Sequence, residues 1–365
     1  MRFLSRVFQA LVAPLVAVVA ALAITSVVIA MSGSSPGDFW AIIFDLPADR
    51  AYVNIINQSS MIYLSALAAA IGFRMNLFNI GVEGQYLMAS YVAAVVAGAA
   101  LLPGIANILF ALLVAMAVGA AWAGIAGILK VTRGVSEVIS TIMLNAIAIT
   151  LTGYLLNTYG EKAGITRRTS VIPESSQLEG FTPFLPRDGA IWTLGILAIL
   201  AGIGFWFLLT KTTFGYDLRA TGMSETAAVA SGVKVNRMII VSMMLSGGVA
   251  GLIWMPAFIG AAHNYGTTFQ AGLGFTGIAV ALLGRNQPLG ILFGALLFAF
   301  LNEQSVRLTI ETDISQNVVQ ITQGIIVLAV VVAYEVVRRR RLAAEQHSVH
   351  RELDAGETKP KEVSA

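Results

Sequence analysis

Long uncharged apolar runs recur from one end of the chain to the other, and they restrict its fold more than any other feature. A helix needs about 20 apolar residues to cross a bilayer. Only 12% of the 365 residues are charged, whereas a soluble domain of this length carries roughly 25%. A surface so poor in charge has to face lipid. The sequence therefore predicts an all-α protein that crosses the membrane many times.

Ten runs are predicted to be membrane-spanning helices, and the second and eighth are short or interrupted by glycine. The predicted spans are 10–31, 57–73, 79–100, 104–129, 135–159, 190–210, 238–260, 273–283, 289–306 and 318–337. The first is too long for the apolar core of a secretory signal and has no convincing cleavage site. Residues 1–337 are thus predicted to form one membrane domain, followed at 338–365 by a basic and then polar tail that is disordered.

The positions of Lys and Arg predict the orientation, because these residues stay on the cytoplasmic side of a membrane. With ten spans and the amino terminus inside, 17 of the 23 Lys and Arg residues fall on that side. The opposite orientation would reverse the ratio. Both termini are therefore predicted to be inside, and the charged loop 211–237 is predicted to be cytoplasmic.

The loop 211–237 contains a short helix, predicted at 224–231. Ser224 is a good N-cap, Glu225 suits the first turn, and Gly232 ends the helix. Loops between spans are more often simple turns. A short capped helix held between two spans therefore predicts that something outside the membrane docks there.

Two segments on the outer side are longer than turns. The first, 32–58, includes FWAIIFDL and is predicted to hold an interfacial helix anchored by Trp40. The second, 160–189, has three prolines and no long apolar run, and is predicted to be an irregular loop.

A faint internal repeat relates 67–81 to 280–294, since each has a short apolar segment, a glycine, an Arg–Asn cluster and a second glycine. Corresponding glycine-interrupted spans in two halves point to a transport pathway. Chance similarity between two glycine-containing spans is an equally good explanation.

Polar residues set between glycines mark the segment FNIGVEGQY at 78–86. Glycine lets the backbone leave helical geometry, so that freed N–H and C=O groups can line a polar cavity. Glu83 is costly near a membrane unless it is paired or solvated. We expect it to pair with Arg74 at the cytoplasmic mouth, while the segment as a whole lines a pathway. The candidate pathway residues are Asn79, Gly81, Glu83, Gly84, Gln85 and Asn145.

Other polar residues are expected to have structural roles. Glu137 is expected to pair with Arg133 at the inner surface. Near the outer end of the ninth span, Glu303, Gln304 and Arg307 are expected to pair with one another.

Two further features concern packing and substrate entry. Gly247 and Gly251 are four residues apart, a spacing that lets two helices approach closely. The polar residues at 263–265 lie at the outer end of the seventh span, where they form either a substrate entrance or a plain polar loop.

Several kinds of site are excluded by what the sequence lacks. There are no cysteines and only three histidines, two of which lie in the tail, which argues against disulfides and a metal centre. No phosphate-binding loop of the Walker type is present. The spans show no series of acids or histidines of the kind that ion-coupled carriers need, no channel filter and no nucleophile–base constellation. Any use of ATP therefore requires another chain.

Four motifs together resemble a known family: FNIGVEGQ at 78–85, SEVISTIMLN at 136–145, VIPESSQL at 171–178 and GYDLRATGMSETAAVASGV at 215–233. They are similar to the membrane permeases of bacterial ABC importers in the ribose/galactose and branched-chain amino acid permease superfamily. FNIGVEGQ is similar to the nucleoside-uptake branch, which is often described as a simple-sugar transporter. The resemblance extends to about Val337.

The resemblance implies a transport subunit of the bacterial plasma membrane that is not itself an enzyme and binds no cofactor. ATP and Mg²⁺ would lie on a separate cytoplasmic ATPase, into which the helix 224–231 would fit as a coupling helix. A second, distinct permease and an extracellular or lipid-anchored binding protein would complete the importer. The residues implied in ATPase coupling are Arg219, Gly222, Glu225, Ala227 and Ala228.

Two other functions are open on the sequence alone. A permease of the same class could import simple sugars instead of nucleosides. A carrier or channel that works without an ATPase is the alternative from a different class, and the short docking helix and the scarcity of membrane acids argue against it.

Overall fold

The computed structural model describes residues 19–182, 189–312, 314–315, 317–333, 335–336 and 339. The beginning of the first predicted span lies outside the described residues. The same holds for the tail predicted at 338–365, apart from Arg339.

Among the described residues, fourteen α-helices and one short hairpin are the main elements, with two 3-10 turns (Glu174–Ser176 and Thr193–Gly195) and a π-helical turn (Phe258–Ala262) between them. The helices are α1 (Val19–Met31), α2 (Pro36–Phe44), α3 (Asp49–Arg74), α4 (Val82–Gly98), α5 (Gly104–Arg133), α6 (Glu137–Tyr159), α7 (Ile196–Lys211), α8 (Thr213–Met223), α9 (Glu225–Ala230), α10 (Val235–Gly251), α11 (Met255–Ala257), α12 (Leu273–Leu283), α13 (Pro288–Glu311) and α14 (Asn317–Ala333). The strands are β1 (Glu161–Ala163) and β2 (Thr166–Arg168).

Six of the described helices are long and apolar enough to cross a membrane. They are α3, α5, α6, α7 with the short turn before it, α10 with its continuation to Ala262, and α13. Three shorter apolar helices, α1, α12 and α14, accompany them. The predicted all-helical membrane architecture is confirmed, whereas the count of ten spans and the side on which the termini lie stay predictions.

Helix α3 differs most from its predicted span. It begins at Asp49 rather than at residue 57, and it is 26 residues long rather than short. Within its most apolar window 83% of the residues are buried inside the protein. Polar side chains such as Asn57 hid the start of the helix, because in this helix they bond to protein rather than face lipid: the Asn57 amide donates to Ala190 O over 2.9 Å.

The chain divides into two compact units. One runs from Ile42 to Arg307; the other takes in the residues up to Ala41 and those from Leu308 onward. In the Ile42–Arg307 unit, α3 is central and packs against α12, α10 and α7. In the other unit, α2 lies within the predicted interfacial segment, and the Trp40 indole N–H donates to Ser26 Oγ over 2.9 Å.

The predicted close packing at Gly247 and Gly251 is confirmed. A Cβ atom on Gly247 would run into the backbone of Gly119 on α5, and one on Gly251 would run into the backbone of Ala115. Helices α5 and α10 therefore touch through their main chains, as small residues permit in membrane proteins.

The outer loop at 160–189 was predicted to be irregular, and this is wrong for part of it. Strands β1 and β2 pair antiparallel around a turn at Gly164, which has φ +63°. The loop also bonds to the segment after α10: Thr169 N donates to Tyr265 O, and Tyr265 N donates to Thr169 Oγ1, both over 2.9 Å. These bonds give the loop a fixed place despite its prolines.

The two segments of the predicted repeat end their helices alike. Asn76 after α3 and Asn286 after α12 both adopt left-handed backbone conformations, with φ of 59° and 54°. Asparagine tolerates this region better than most residues. The similarity is confined to the ends of the two helices, because the helices themselves differ in length: α3 has 26 residues and α12 has 11.

Candidate functional site

The predicted short helix of the 211–237 loop is confirmed as α9. The Ser224 hydroxyl accepts a hydrogen bond from Ala227 N over 3.2 Å, which satisfies one of the free amides at the helix start. Gly232, with φ +85°, ends the segment. In front of it, α8 has its own cap, because Thr212 Oγ1 accepts from Gly215 N over 3.0 Å.

One face of helix α9 packs against the rest of the protein, and the opposite face is exposed to solvent. Ala228 is only 2% exposed, so it packs on its own chain. Glu225 and Ala227 are exposed, as are the apolar side chains of Val229 (60%) and Met223 (88%). Both apolar side chains lie outside the predicted spans and are open to contact by another protein.

Two of the other predicted coupling residues lie on α8. Gly222 packs against the carbonyl of Arg74, and a Cβ atom there would lie 3.0 Å from Met75 Cα. Its lack of a side chain thus serves contact with the end of α3. Arg219 is half-buried and lies within electrostatic range of Arg74.

The segment between α3 and α4 folds into a polar cluster buried in the protein. The Asn79 amide donates to Gln85 Oε1 over 3.0 Å and to Ser246 Oγ over 2.8 Å, and Gln85 Nε2 donates back to Asn79 Oδ1 over 2.9 Å. Ser246 in turn donates to Ala68 O over 2.6 Å. These bonds join α3, α4 and α10, so polar groups that lipid could not solvate satisfy one another.

Asn145 on α6 joins the same region from the other side. Its amide donates to Ile80 O over 2.9 Å, and its Oδ1 accepts from Gly84 N over 2.8 Å. A Cβ atom on Gly84 would lie 2.9 Å from Asn145 Cα, so glycine is needed for this approach. At Gly81 a Cβ atom would likewise lie 2.9 Å from the Cβ of Thr141.

Glu83 is 3% exposed and binds backbone amides, not the expected Arg74. Its Oε1 accepts from Gly272 N over 2.7 Å, its Oε2 accepts from Gly274 N over 2.9 Å, and the Tyr86 hydroxyl lies 3.3 Å from Oε1. Gly272 and Gly274 form the start of α12, whose dipole and free amides favour an anion there. The carboxylate therefore fixes α4 to the beginning of α12.

We expect Glu83→Ala to destabilise the protein by roughly 2–6 kcal/mol, since it leaves two buried amides without an acceptor at about 1–3 kcal/mol each. Glu83→Gln keeps one acceptor oxygen and should lose about half as much. Thermal unfolding of the purified protein in detergent measures both. Glu174→Gln, on an exposed glutamate, is the matched control. Equal stability of Glu83→Gln and this control would contradict the assigned contacts.

Two expected ion pairs have other partners. Glu137 Oε2 accepts from Lys130 Nζ over 2.7 Å instead of from Arg133. The Glu303 carboxylate accepts from the Asn54 amide over 3.0 Å, rather than pairing with its neighbours on α13.

The other two residues of that expected group also reach the segment before α3. Gln304 Nε2 donates to the carbonyls of Ile42 and Asp45, over 2.8 and 3.0 Å. Arg307 donates to the Asp45 carboxylate over 2.9 Å, and this hydrogen bond lowers the pKa of Asp45. The hydrogen-bond partners of Glu303, Gln304 and Arg307 are therefore residues distant in sequence, not the neighbours on the same helix that helical spacing suggested.

The polar segment at 263–265 is part of an aromatic cluster. Tyr265 is 6% exposed, and its ring centroid lies 4.6 Å from that of Phe269 and 5.8 Å from that of Trp254. Burial raises the pKa of Tyr265 to about 12 and lowers the pKa of His263. Both shifts favour the neutral form of the side chain, so burial disfavours charge at this end of α10.

A cavity of about 1440 Å³ lies between α3, α7 and α13. Its walls are mainly apolar, with polar groups from Asn57, Ser59, Ser60 and Tyr63. None of the six predicted pathway residues lines it. Sequence reasoning missed this cavity, although the polar residues in the first half of α3, among them Asn57, Ser59 and Ser60, were a signal that this helix does not face lipid.

The family described as the permease component of branched-chain amino acid transport systems matches residues 51–332. The guanosine ABC transporter permease NupP of Bacillus subtilis is 37% identical over 339 residues, which cover 89% of this chain and 94% of that protein. The nucleoside ABC transporter permease NupB of Lactococcus lactis is 29% identical and covers 88% and 90%. The guanosine permease NupQ of Bacillus subtilis is 28% identical and covers 70% and 82%. No solved structure matches the chain.

Proposed function

The chain belongs to the family of permease components of branched-chain amino acid transport systems, and from that premise we propose that it is a permease subunit of an ATP-driven nucleoside importer. It is a multi-pass protein of the bacterial inner membrane, and it serves transport rather than catalysis.

The observation that carries the proposal is the exposed face of α9. Helix α9, a capped helix of six residues, and α8 before it lie between the long apolar helices α7 and α10, with Val229 on α9 and Met223 at the end of α8 open to solvent. In the proposed importer this face fits a cleft on the ATPase, with Glu225 and Ala227 at the contact. The buried Ala228 and the packed Gly222 hold α8 and α9 in place behind it.

The proposed substrate class rests on relatives. A guanosine permease and a nucleoside permease are similar to the chain over nearly nine-tenths of its length. Nucleosides are neutral and rich in hydrogen-bonding groups. A path lined by small and amide side chains suits them better than one lined by charges.

The proposed partners are three other kinds of chain. A cytoplasmic ATPase would bind ATP and Mg²⁺; for this chain we propose no cofactor. A second, related permease would complete the pore, as suggested by the two guanosine permeases, NupP and NupQ, of one organism. A binding protein outside the membrane would deliver the nucleoside.

In the proposed cycle this chain makes and breaks no covalent bond. ATP brings the two ATPase subunits together, and their movement displaces α9 with α8. The helices joined by the buried contacts of Glu83 and Asn79 then shift as a block, and the pore changes from inward-facing to outward-facing. The pathway roles of Asn79, Gly81, Glu83, Gly84, Gln85 and Asn145 are part of this proposal.

Uptake by the complete complex tests the proposal. The chain is expressed with its operon partners, tagged and purified, and co-purifying chains are identified by mass spectrometry. In proteoliposomes we expect ATP-dependent uptake of labelled guanosine or uridine, which excess unlabelled nucleoside abolishes and excess ribose or glucose leaves unchanged.

Two results would overturn the proposal. Competition by sugars but not by nucleosides would make the protein a sugar permease. Uptake by this chain alone, without ATP or an ATPase, would make it a secondary carrier or channel.

A further inference from the structure

Arg74, the last residue of α3, makes two hydrogen bonds to a single carbonyl. Its Nε donates to Asn286 O over 3.0 Å, and its Nη2 donates to the same oxygen over 2.8 Å. Asn286 lies in the turn between α12 and α13. Hydrogen bonds from a charged donor are about twice as strong as neutral ones, so this is a firm link between two elements 212 residues apart in sequence.

The turn that Arg74 holds has an unfavourable backbone. Arg285 and Asn286 both have positive φ values, 56° and 54°, a region that costs non-glycine residues free energy. The Oδ1 atom of Asn286 is buried without a hydrogen-bond partner. Backbone hydrogen bonds to the end of α12, such as Asn286 N to Ala281 O over 2.9 Å, hold the turn from within, and the Arg74 guanidinium holds it from outside.

The main chain of Arg74 faces the cytoplasmic loop. Gly222 on α8 packs directly on the Arg74 carbonyl, so closely that no larger residue fits. The side chain of Arg219, also on α8, repels Arg74 electrostatically. A displacement of α8 thus acts on Arg74 through steric contact and through charge.

The far end of α12 is fixed as well. Glu83 accepts hydrogen bonds from Gly272 N and Gly274 N, and Ser65 Oγ donates to Leu273 O over 2.7 Å. An 11-residue helix is about 16 Å long. Helix α12 therefore connects the turn held by Arg74 with the buried carboxylate of Glu83.

We propose that Arg74 is the positioning residue that transmits displacement of α8 and α9 to the α12–α13 turn, and through α12 to the buried cluster around Glu83. The inference rests on the proposed function in one respect, namely that an ATPase moves α9. Arg74 is the residue through which this movement reaches the membrane-embedded part of the protein.

Coupling of transport to ATP hydrolysis is the property to measure, because a residue needed only for folding would lower both together. In complexes reconstituted with Arg74→Ala we expect ATP hydrolysis within about twofold of wild type and uptake lower by at least about tenfold, because both hydrogen bonds to Asn286 O are lost and one charge-assisted bond alone accounts for about that factor. Arg74→Lys, which keeps the charge but not the fork of donors, should recover part of the uptake. Arg133→Ala, on an exposed arginine at the end of α5, should change neither quantity.

Movement of the turn is measured separately, and this is practicable because the chain has no cysteine. Gln287 is exposed next to Asn286, so Gln287→Cys gives a single site for a maleimide. With Arg74 intact, we expect its labelling rate to differ between the nucleotide-free complex and the complex trapped with ATP and vanadate. In the Arg74→Lys background, which keeps bulk and charge and so should fold, this difference should become smaller, in line with the partial uptake expected of that variant.

Two results would overturn the inference: an equal fall of hydrolysis and uptake in both Arg74 variants, or a nucleotide-dependent labelling difference in Arg74→Lys as large as that with Arg74 intact. Failure of the proposed function is distinguishable from both. In that case the wild-type chain itself would bring down no ATPase and would show no ATP-dependent uptake.

Discussion

Gly247→Ala is expected to prevent recovery of folded protein, although it adds only one methyl group. The new Cβ would meet the main chain of Gly119 and the side chain of Ala123, which leave no room for it. Overpacking of a well-packed site costs about 1–3 kcal/mol and occasionally more, and here the obstacle is backbone that no rotamer change can move. Size-exclusion chromatography in detergent and the thermal unfolding temperature measure the loss.

Gly204→Ala is the matched control for this substitution. Gly204 also lies inside an apolar helix, α7, but nothing stands within 4 Å of the position that a Cβ atom would take. Alanine there should stabilise the helix by about 0.5–1 kcal/mol. If both variants unfolded at the wild-type temperature, the main-chain contact between α5 and α10 would be wrong.

Val229→Arg is expected to abolish association with the ATPase. The side chain is 60% exposed on α9, and a charge at the centre of a docking surface removes apolar contact and introduces a cation that must be desolvated. Loss of an interface anchor costs about 2 kcal/mol or more, which corresponds to roughly 30-fold weaker binding. The helix itself should persist, because the introduced arginine would lie four residues after Glu225 and could pair with it.

Ile165→Arg provides the control for this second variant. Ile165, at the tip of the β1–β2 hairpin, is fully exposed, and the charge distribution predicts that it lies on the opposite side of the membrane. The measurement is the amount of ATPase that co-purifies with the tagged permease. An unchanged amount with Val229→Arg would show that α9 is not the docking element. Gly222 is unsuitable for such a test, since a bulky residue there would displace α3.

Much of the fold could be predicted from hydropathy, because most spans carry their signal in composition. The α12 span was predicted with its observed bounds, and the capped helix α9 within one residue at each end. The start of α3 could not be predicted. Its first three turns bear polar side chains such as Asn54 and Asn57, whose partners, Glu303 and Ala190 O, are far away in sequence.

The candidate site, like the fold, could be predicted only in part. The segments that carry it were recognisable, because polar residues such as amides are costly in a membrane unless they have a role. The hydrogen-bond partners of these residues could not be predicted. Glu83 was expected to bind Arg74, nine residues before it, yet it binds amides 189 and 191 residues further along the chain. Arg74 itself binds a carbonyl, an acceptor that every residue has and that no sequence motif marks.

The buried hydrogen bonds of Asn79 form in a fixed order while the protein is synthesised. One N–H of its side-chain amide donates to Ser246, which the ribosome adds 167 residues later. At about 5–20 residues per second, that interval is roughly 10–30 s. Throughout it, one N–H of the Asn79 amide lacks the acceptor that it has in the folded protein, although the other N–H can already bond to Gln85. The polar cluster that joins α4 to α10 is therefore completed only after α10 has been made.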